Sequence, residues 1–186
     1  MISEHLALLR QTFPTILKYI MRPTTIITTD PQAGQDISVV GDNYRLILTG
    51  KETDGAFALI DMLIPPGGGP GPHAHAKFQE SFYVLEGEIV VRSESATYVA
   101  LKGSLVSIPQ GGAIHSFKNE SDSTAHILCM VVPSGLEEFF REAGEPAEYG
   151  KFLPAPEMNE EWLKKMEFLA KKYDQELFPP DYLDKK

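Results

Sequence analysis

The sequence predicts a mainly β protein, an antiparallel sandwich or barrel with helices at both ends. Between Thr24 and Pro133, short apolar or alternating runs are separated by Gly, Pro, Asp and Asn at intervals of about ten residues. On both sides of this stretch, apolar residues recur at helical spacing. The chain has 186 residues, which suits one domain with a full hydrophobic core.

We expect a single domain, residues 1–186, in three parts: an N-terminal helix (1–23), a β-barrel core (24–133) and a C-terminal helical extension (134–186). Pro14 is expected to kink or divide the first helix, which covers residues 3–20. The apolar positions that recur at helical spacing in it are Leu6, Leu9, Phe13 and Leu17.

Nine strands are predicted in the core from runs rich in β-branched and aromatic residues. They are Thr24–Thr29, Tyr44–Thr49, Ala56–Ile64, Gln79–Leu85, Glu88–Arg92, Thr97–Leu101, Leu105–Ile108, Ile114–Asn119 and Ala125–Val132. The clearest turn is Glu86-Gly87, because glycine accepts the positive φ that a tight hairpin requires.

After Pro133 the apolar period becomes helical again. Leu136, Phe139 and Phe140 predict one helix that ends near Gly144. A connector punctuated by prolines leads to a second helix from about Glu157 to Tyr173, with Asn159 as a candidate N-cap. The Phe178-Pro179-Pro180 tail is expected to be extended.

Composition excludes several classes of function. The formal net charge is −9, and no basic stripe is present to neutralise phosphates, so we expect no nucleic-acid partner. No apolar run approaches the roughly 20 residues needed to cross a membrane, and the first residues do not resemble a signal peptide. We therefore expect a cytoplasmic protein. The single cysteine, Cys129, lies in an apolar run and is interpreted as a buried structural thiol.

Three of the five histidines fall in two short segments of the predicted core. His73 and His75 are two residues apart, a spacing that places both imidazoles on one face of a strand. Glu80 opens the next strand, and His115 lies in a later one. Burying these groups together without a partner would cost several kcal/mol, which a bound cation would offset.

Three imidazoles and one carboxylate offer borderline-soft nitrogen donors and one hard anionic oxygen. This set suits a divalent transition metal ion, namely Ni, Mn, Fe, Co, Cu or Zn. Four protein ligands on an ion that takes five or six leave room for water, substrate or dioxygen, as in catalytic sites. We therefore predict His73, His75, Glu80 and His115 as metal ligands. The pattern does not choose among the metals.

Two segments resemble the two motifs of the cupin superfamily. The first motif corresponds to Gly67, His73, His75, Glu80 and Gly87. The second corresponds to Gly103, Pro109, Gly111, His115 and Asn119, with one extra residue between Gly111 and His115. The resemblance implies an antiparallel jelly-roll barrel with a metal near its mouth, and pairing of chains as a homodimer.

Within that superfamily, the glycine- and proline-rich lead-in before His73 and the strand that ends at Gly87 are similar to the quercetin dioxygenase-like branch. In that branch the motif glutamate is a metal ligand and also a proton acceptor. The resemblance therefore implies a metal-dependent oxidoreductase, a dioxygenase, acting on a small oxygenated substrate that is flavonol-like or enolisable. Glu80 is the candidate catalytic residue, either as ligand only or as ligand and base.

Two other functions stay open at this point: a cupin that binds a small ligand without turnover, and a metal-assisted isomerase or lyase. Met62, Phe82, Phe117 and Met130, with Tyr44, are candidate linings of a substrate pocket, or equally core residues. His126 is interpreted as a hydrogen-bonded histidine rather than a fifth ligand.

Overall fold

The computed structural model describes residues 24–185, and the predicted N-terminal helix over residues 3–20 lies outside them. Within the described part, twelve strands and three helices form the fold. The strands are β1 (Gln35–Val39), β2 (Asp42–Leu48), β3 (Ala58–Ile64), β4 (His73–His75), β5 (Gln79–Glu86), β6 (Glu88–Ser93), β7 (Thr97–Leu101), β8 (Leu105–Ile108), β9 (His115–Lys118), β10 (Ala125–Val132), β11 (Glu145–Pro146) and β12 (Gln175–Leu177). The helices are α1 (Gly50–Thr53), α2 (Leu136–Ala143) and α3 (Glu160–Lys172), followed by a 3₁₀ turn, Tyr182–Lys185.

The strands form two antiparallel sheets, in the orders β11-β1-β2-β3-β10-β5-β8 and β12-β4-β9-β6-β7. Some neighbouring strands are distant in sequence, as when β10 lies between β3 and β5. This topology confirms the mainly β class and the antiparallel jelly-roll barrel. The core fills the space between the sheets, where the Phe82 and Phe117 rings meet edge to face with centroids 5.0 Å apart.

Alternation along each strand decides which side chains enter the barrel. In β10, Ala125, Ile127, Cys129 and Val131 are buried, whereas Met130 and Val132 on the opposite face are exposed. At the β5–β6 hairpin, Gly87 has a φ of 72°, which confirms the predicted turn.

The first predicted strand is wrong. Thr24–Thr29 has no ladder partner among the residues that the structure describes, and Ile26 is 88% exposed. The first strand is instead β1, which no predicted strand covers. The sequence does not indicate this strand because it begins with polar residues and has only two apolar core positions, Ile37 and Val39. A β-branched composition does not make a strand where no partner lies beside it.

The region after Pro133 is only partly a helical extension. The two helices occur as predicted, α2 before Gly144 and α3 with Asn159 as its N-cap, whose side chain accepts a hydrogen bond from the Trp162 amide. In addition, β11 pairs with β1, and β12 pairs with β4. The C-terminal residues therefore complete both sheets. No helix of residues 24–185 is long and apolar enough to cross a membrane.

Candidate metal centre

Strands β4 and β9 bring three imidazoles together. His73 and His75 lie on one face of β4, and β4 pairs with β9 so that His73 lies opposite His115. The ring centroids of His73 and His115 are 4.3 Å apart, and those of His75 and His115 are 5.0 Å apart. The His-x-His spacing and one cross-strand pair therefore suffice to build this cluster.

Glu80 reaches the cluster from the other sheet. It lies on the inner face of β5, where its side chain is 3% exposed. Its Oε2 is 3.1 Å from Nε2 of His75 and 3.5 Å from Nε2 of His115. One candidate ligand atom from each of the four residues lies within 4.8 Å of all the others. The site thus forms where the two sheets face each other.

Backbone carbonyls fix the tautomer of all three histidines. In each ring Nδ1 contacts a carbonyl oxygen, and because a carbonyl only accepts, Nδ1 carries the proton. The lone pair of each neutral imidazole is then on Nε2. The three contacts are 3.0 Å from His73 to Gly71, 3.2 Å from His75 to Phe78 and 2.8 Å from His115 to Ala113. Such outer contacts orient histidines that ligate metals.

The inner atoms of the cluster are mostly hydrogen-bond acceptors. With Nδ1 protonated, Nε2 of neutral His75 and Oε2 of ionised Glu80 both offer lone pairs at 3.1 Å. Nε2 of His115 is buried and has no hydrogen-bond partner among residues 24–185. Unpaired acceptors that face one another in a buried space are unfavourable unless a proton or a cation lies between them. This donor set therefore fits a divalent transition metal ion.

The electrostatics favour an ionised Glu80 carboxylate and an uncharged His73 ring. Burial lowers the pKa of His73 to about 4, and the neighbouring His115 adds to the effect. Burial opposes ionisation of Glu80, but the neighbouring His115 and His75 outweigh it and hold the pKa of Glu80 well below its usual range. For His75, burial is outweighed by the hydrogen bond and charge of Glu80, which raise its pKa.

The predicted pocket residues do not all face the barrel interior. Met62, Phe82 and Phe117 are buried there, as is Tyr44, which donates to Asp42 at 3.2 Å. Met130 is 41% exposed on the outer face of β10, so the prediction that it points inward is wrong. In a continuous apolar run, alternation offers two candidate faces, and hydrophobicity alone does not select one.

His126 lies on the outer face of β10, where its Nε2 is 2.5 Å from Oδ1 of Asp61. The interpretation of His126 as a hydrogen-bonded histidine is confirmed.

The extra residue near Gly111 lies in a turn before β9. The Gly111 amide in this turn donates to the Ala76 carbonyl at 3.0 Å. That contact joins the two motif segments beside the cluster.

Two further residues lie beside the cluster, a position that the sequence pattern does not predict for either of them. Cys129 is fully buried, as predicted, but its Sγ also lies 3.4 Å from Oε1 of Glu80. Gln175 of β12 pairs with His75 and is 8% exposed, and its Nε2 has no hydrogen-bond partner in the described part of the chain. Strand alternation could have placed Cys129 on the inner face, but no sequence pattern marks Gln175 as part of this sheet.

Residues 60–131 match the family model of the cupin domain. With the jelly-roll topology and the His/Glu cluster, this match identifies residues 60–131 as a cupin domain. The chain is similar to the quercetin dioxygenase-like branch. Over 120 residues it is 30% identical to quercetin 2,3-dioxygenase of Bacillus subtilis, a segment that covers 64% of this chain and 35% of that enzyme. The chain thus matches about a third of its relative's length.

Solved structures share the fold at lower identity. The polyketide cyclase RemF of Streptomyces resistomycificus superposes with a TM-score of 0.51 at 16% identity, covering 77% of this chain and 99% of that one. A sugar phosphate isomerase of the cupin superfamily from Silicibacter pomeroyi also gives 0.51, at 18% identity, covering 57% of this chain and 75% of the other. These likenesses establish the fold alone.

Proposed function

We propose that this cupin binds a divalent transition metal ion through His73, His75, Glu80 and His115, and that it is a dioxygenase acting on a small oxygenated substrate, flavonol-like or enolisable. The observation that carries the metal site is the set of three imidazoles, each with Nδ1 bound to a carbonyl, whose Nε2 atoms converge with Glu80. The similarity to a quercetin 2,3-dioxygenase supports the reaction type.

A bound divalent ion would supply Lewis-acid chemistry, lowering the pKa of a substrate oxygen and placing the substrate beside dioxygen. The chain supplies the orientation. The carbonyls of Gly71, Phe78 and Ala113 hold the three rings with Nε2 inward, and the surrounding apolar residues exclude bulk water.

Glu80 is the candidate proton acceptor as well as a ligand. Its two oxygens have different surroundings, since Oε2 faces the imidazoles and Oε1 faces Cys129. A carboxylate ligand that shifts Oε2 toward the substrate would be able to take a proton from an enolic hydroxyl. Glu80→Gln keeps an oxygen for the metal but not the basicity. We expect it to retain metal and lose most turnover.

The reaction is tested by oxygen uptake with protein loaded in turn with Ni²⁺, Mn²⁺, Co²⁺ and Fe²⁺, using a flavonol and a simple enol as substrates. Uptake with at least one metal, abolished in Glu80→Gln, is the expected result. No uptake across the panel would contradict the dioxygenase. Product formed without oxygen would instead identify an isomerase or lyase, and ligand-induced thermal stabilisation without product would identify a binding protein.

Assembly and location are further parts of the proposal. Open edge strands β8 and β7 and exposed apolar side chains such as Leu105 and Leu101 are compatible with pairing of two chains as a homodimer. The acidic net charge of −9 is compatible with a cytoplasmic protein that does not bind nucleic acid. Sedimentation of the purified chain tests the dimer, which a single monomeric species would contradict.

A further inference from the structure

One buried side chain contacts the metal-site carboxylate from outside the ligand set. Cys129 lies on β10, and Glu80 lies on the neighbouring strand β5. Cys129 is opposite Phe82 and Glu80 is opposite Val131, so Cys129 and Glu80 are diagonal neighbours on the inner face. The thiol Sγ is 3.4 Å from Oε1 of Glu80.

In this contact the thiol is the hydrogen-bond donor and the carboxylate is the acceptor. Cys129 is a free cysteine in the apolar interior of the barrel. An ionised carboxylate only accepts, and Cys129 is fully buried, so its S–H donates to Oε1. This is the hydrogen bond that the structure gives Oε1.

The two carboxylate oxygens are therefore distinguished. Oε2 lies toward Nε2 of His75 and of His115, whereas Oε1 is turned toward the thiol. The buried, unpartnered Nε2 of His115 marks independently where a cation would lie, and that position is on the Oε2 side. Cys129 itself is not in the group whose ligand atoms converge within 4.8 Å among the described residues.

We propose that Cys129 is a positioning residue that holds Glu80 as a one-oxygen ligand, binding Oε1 so that only Oε2 faces the metal. This inference rests on the proposed metal site and specifies the coordination within it. Without the thiol, the carboxylate is free to turn and offer both oxygens or neither. The number of oxygen ligands and the affinity for metal then change, although all four ligand residues are still present.

The test compares three variants loaded with Co²⁺, whose visible absorption reports its coordination number. Cys129→Ala removes the donor, and Cys129→Ser restores one on a shorter side chain. Ile127→Val is the packing control, since Ile127 is a fully buried residue on the same face of β10 that also loses one heavy atom. The Kd for Co²⁺ is measured against a competing chelator, with the spectra recorded on the same samples.

We expect Cys129→Ala to raise the Kd about tenfold and to shift the Co²⁺ absorption bands. A change of this size is typical when a residue that hydrogen-bonds to a metal ligand is lost. Cys129→Ser should return to within about threefold of the wild-type Kd, and Ile127→Val should match the wild type. An unchanged spectrum and Kd in Cys129→Ala would overturn the inference. So would Cys129→Ser behaving like Cys129→Ala, or an intense sulfur-to-metal charge-transfer band in the wild type.

The same experiment separates this inference from the proposed function. If the wild type binds Co²⁺ and Cys129→Ala is indistinguishable from it, the metal site stands and the positioning role is wrong. If the wild type binds no Co²⁺, the metal site is wrong and the positioning role falls with it.

Discussion

Two clusters in this protein place histidine against carboxylate, and they differ in their supply of hydrogen-bond donors. Outside the barrel, Asp61 accepts from Arg45 at 2.5 Å, His126 at 2.5 Å and Tyr149 at 3.0 Å. Inside the barrel, Glu80 faces imidazoles whose ring protons are already directed to backbone carbonyls. The outer carboxylate is satisfied by protein donors, whereas the inner group offers lone pairs that a cation would satisfy.

Proximity of histidine to carboxylate therefore does not by itself define a metal site. The outer network also includes a guanidinium over an aromatic ring, with Arg45 4.5 Å from the centroid of Tyr149. Its carboxylate is satisfied by protein groups, so no cation is needed there. The two clusters differ in whether the histidine nitrogen that faces the carboxylate carries a proton. The following variants test that difference.

The largest difference is expected for removal of one inner histidine. His115→Ala deletes a proposed ligand, so the Kd of this variant for metal should rise. The rise should exceed the roughly 10–100-fold that is typical when a residue hydrogen-bonded to a ligand is mutated. His126→Ala removes the outer histidine and should leave the Kd unchanged. Titration calorimetry with Co²⁺ measures both. Equal losses of affinity in the two variants would contradict the distinction between the clusters.

Chelation should destabilise the protein through the inner cluster only. A metal present at about 100 times its Kd stabilises the folded state by about 2.7 kcal/mol. For a chain of this length, that predicts a fall in Tm of roughly 5–10 °C on adding EDTA, measured by differential scanning calorimetry. His126→Ala should show the same fall. His115→Ala should show almost none, and a full metal-dependent shift in that variant would be inconsistent with the account.

Disruption of the outer cluster should lower stability without releasing metal. Asp61→Ala leaves the side chains of Arg45, His126 and Tyr149 without their shared acceptor, at a cost of about 1–3 kcal/mol. Urea unfolding measures the loss, and elemental analysis measures the metal. The exposed Asp122→Ala is the matched control. Loss of metal from correctly folded Asp61→Ala would show that the two clusters are coupled.

The smallest effect is the pH dependence of the outer cluster. Burial opposes ionisation of Asp61, but the hydrogen bond and charge of His126, with bonds from Tyr149 and Arg45, lower its pKa. A carboxyl whose folded pKa is lowered stabilises the fold above its unfolded pKa and loses that contribution as pH falls. The stability difference between wild type and Asp61→Asn, both treated with chelator, should therefore shrink between about pH 5 and pH 3. A constant difference would contradict this assignment.

The four residues of the inner cluster are predictable from the sequence because their short-range spacing in the two motif segments marks them. A His-x-His pair on a strand, a glutamate opening the next strand and one more histidine define the four positions. The two-residue period then places both His73 and His75 on one face. The burial of Cys129 followed from the apolar run that contains it, but its contact with Glu80 depends on the pairing of β10 with β5.

The features that sequence reasoning missed depend on contacts between distant segments. Strand β1 forms because β2 and β11 lie beside it, and Gln175 reaches His75 because the C-terminal strand β12 joins the second sheet. Met130 was assigned to the wrong face, since every residue around it in the run is apolar. Which strands pair, and which face of a strand points into the barrel, depend on the assembled sheets. The hydrophobic pattern alone therefore does not predict them.

The most direct test of the central claim is elemental analysis of the protein purified without added metal and then loaded separately with each candidate metal. The account predicts about one tightly held transition metal ion per chain under at least one loading. It also predicts that the ion is lost in the double variant His75→Ala/His115→Ala. A wild-type protein that holds no metal in stoichiometric amount under any loading would contradict the account.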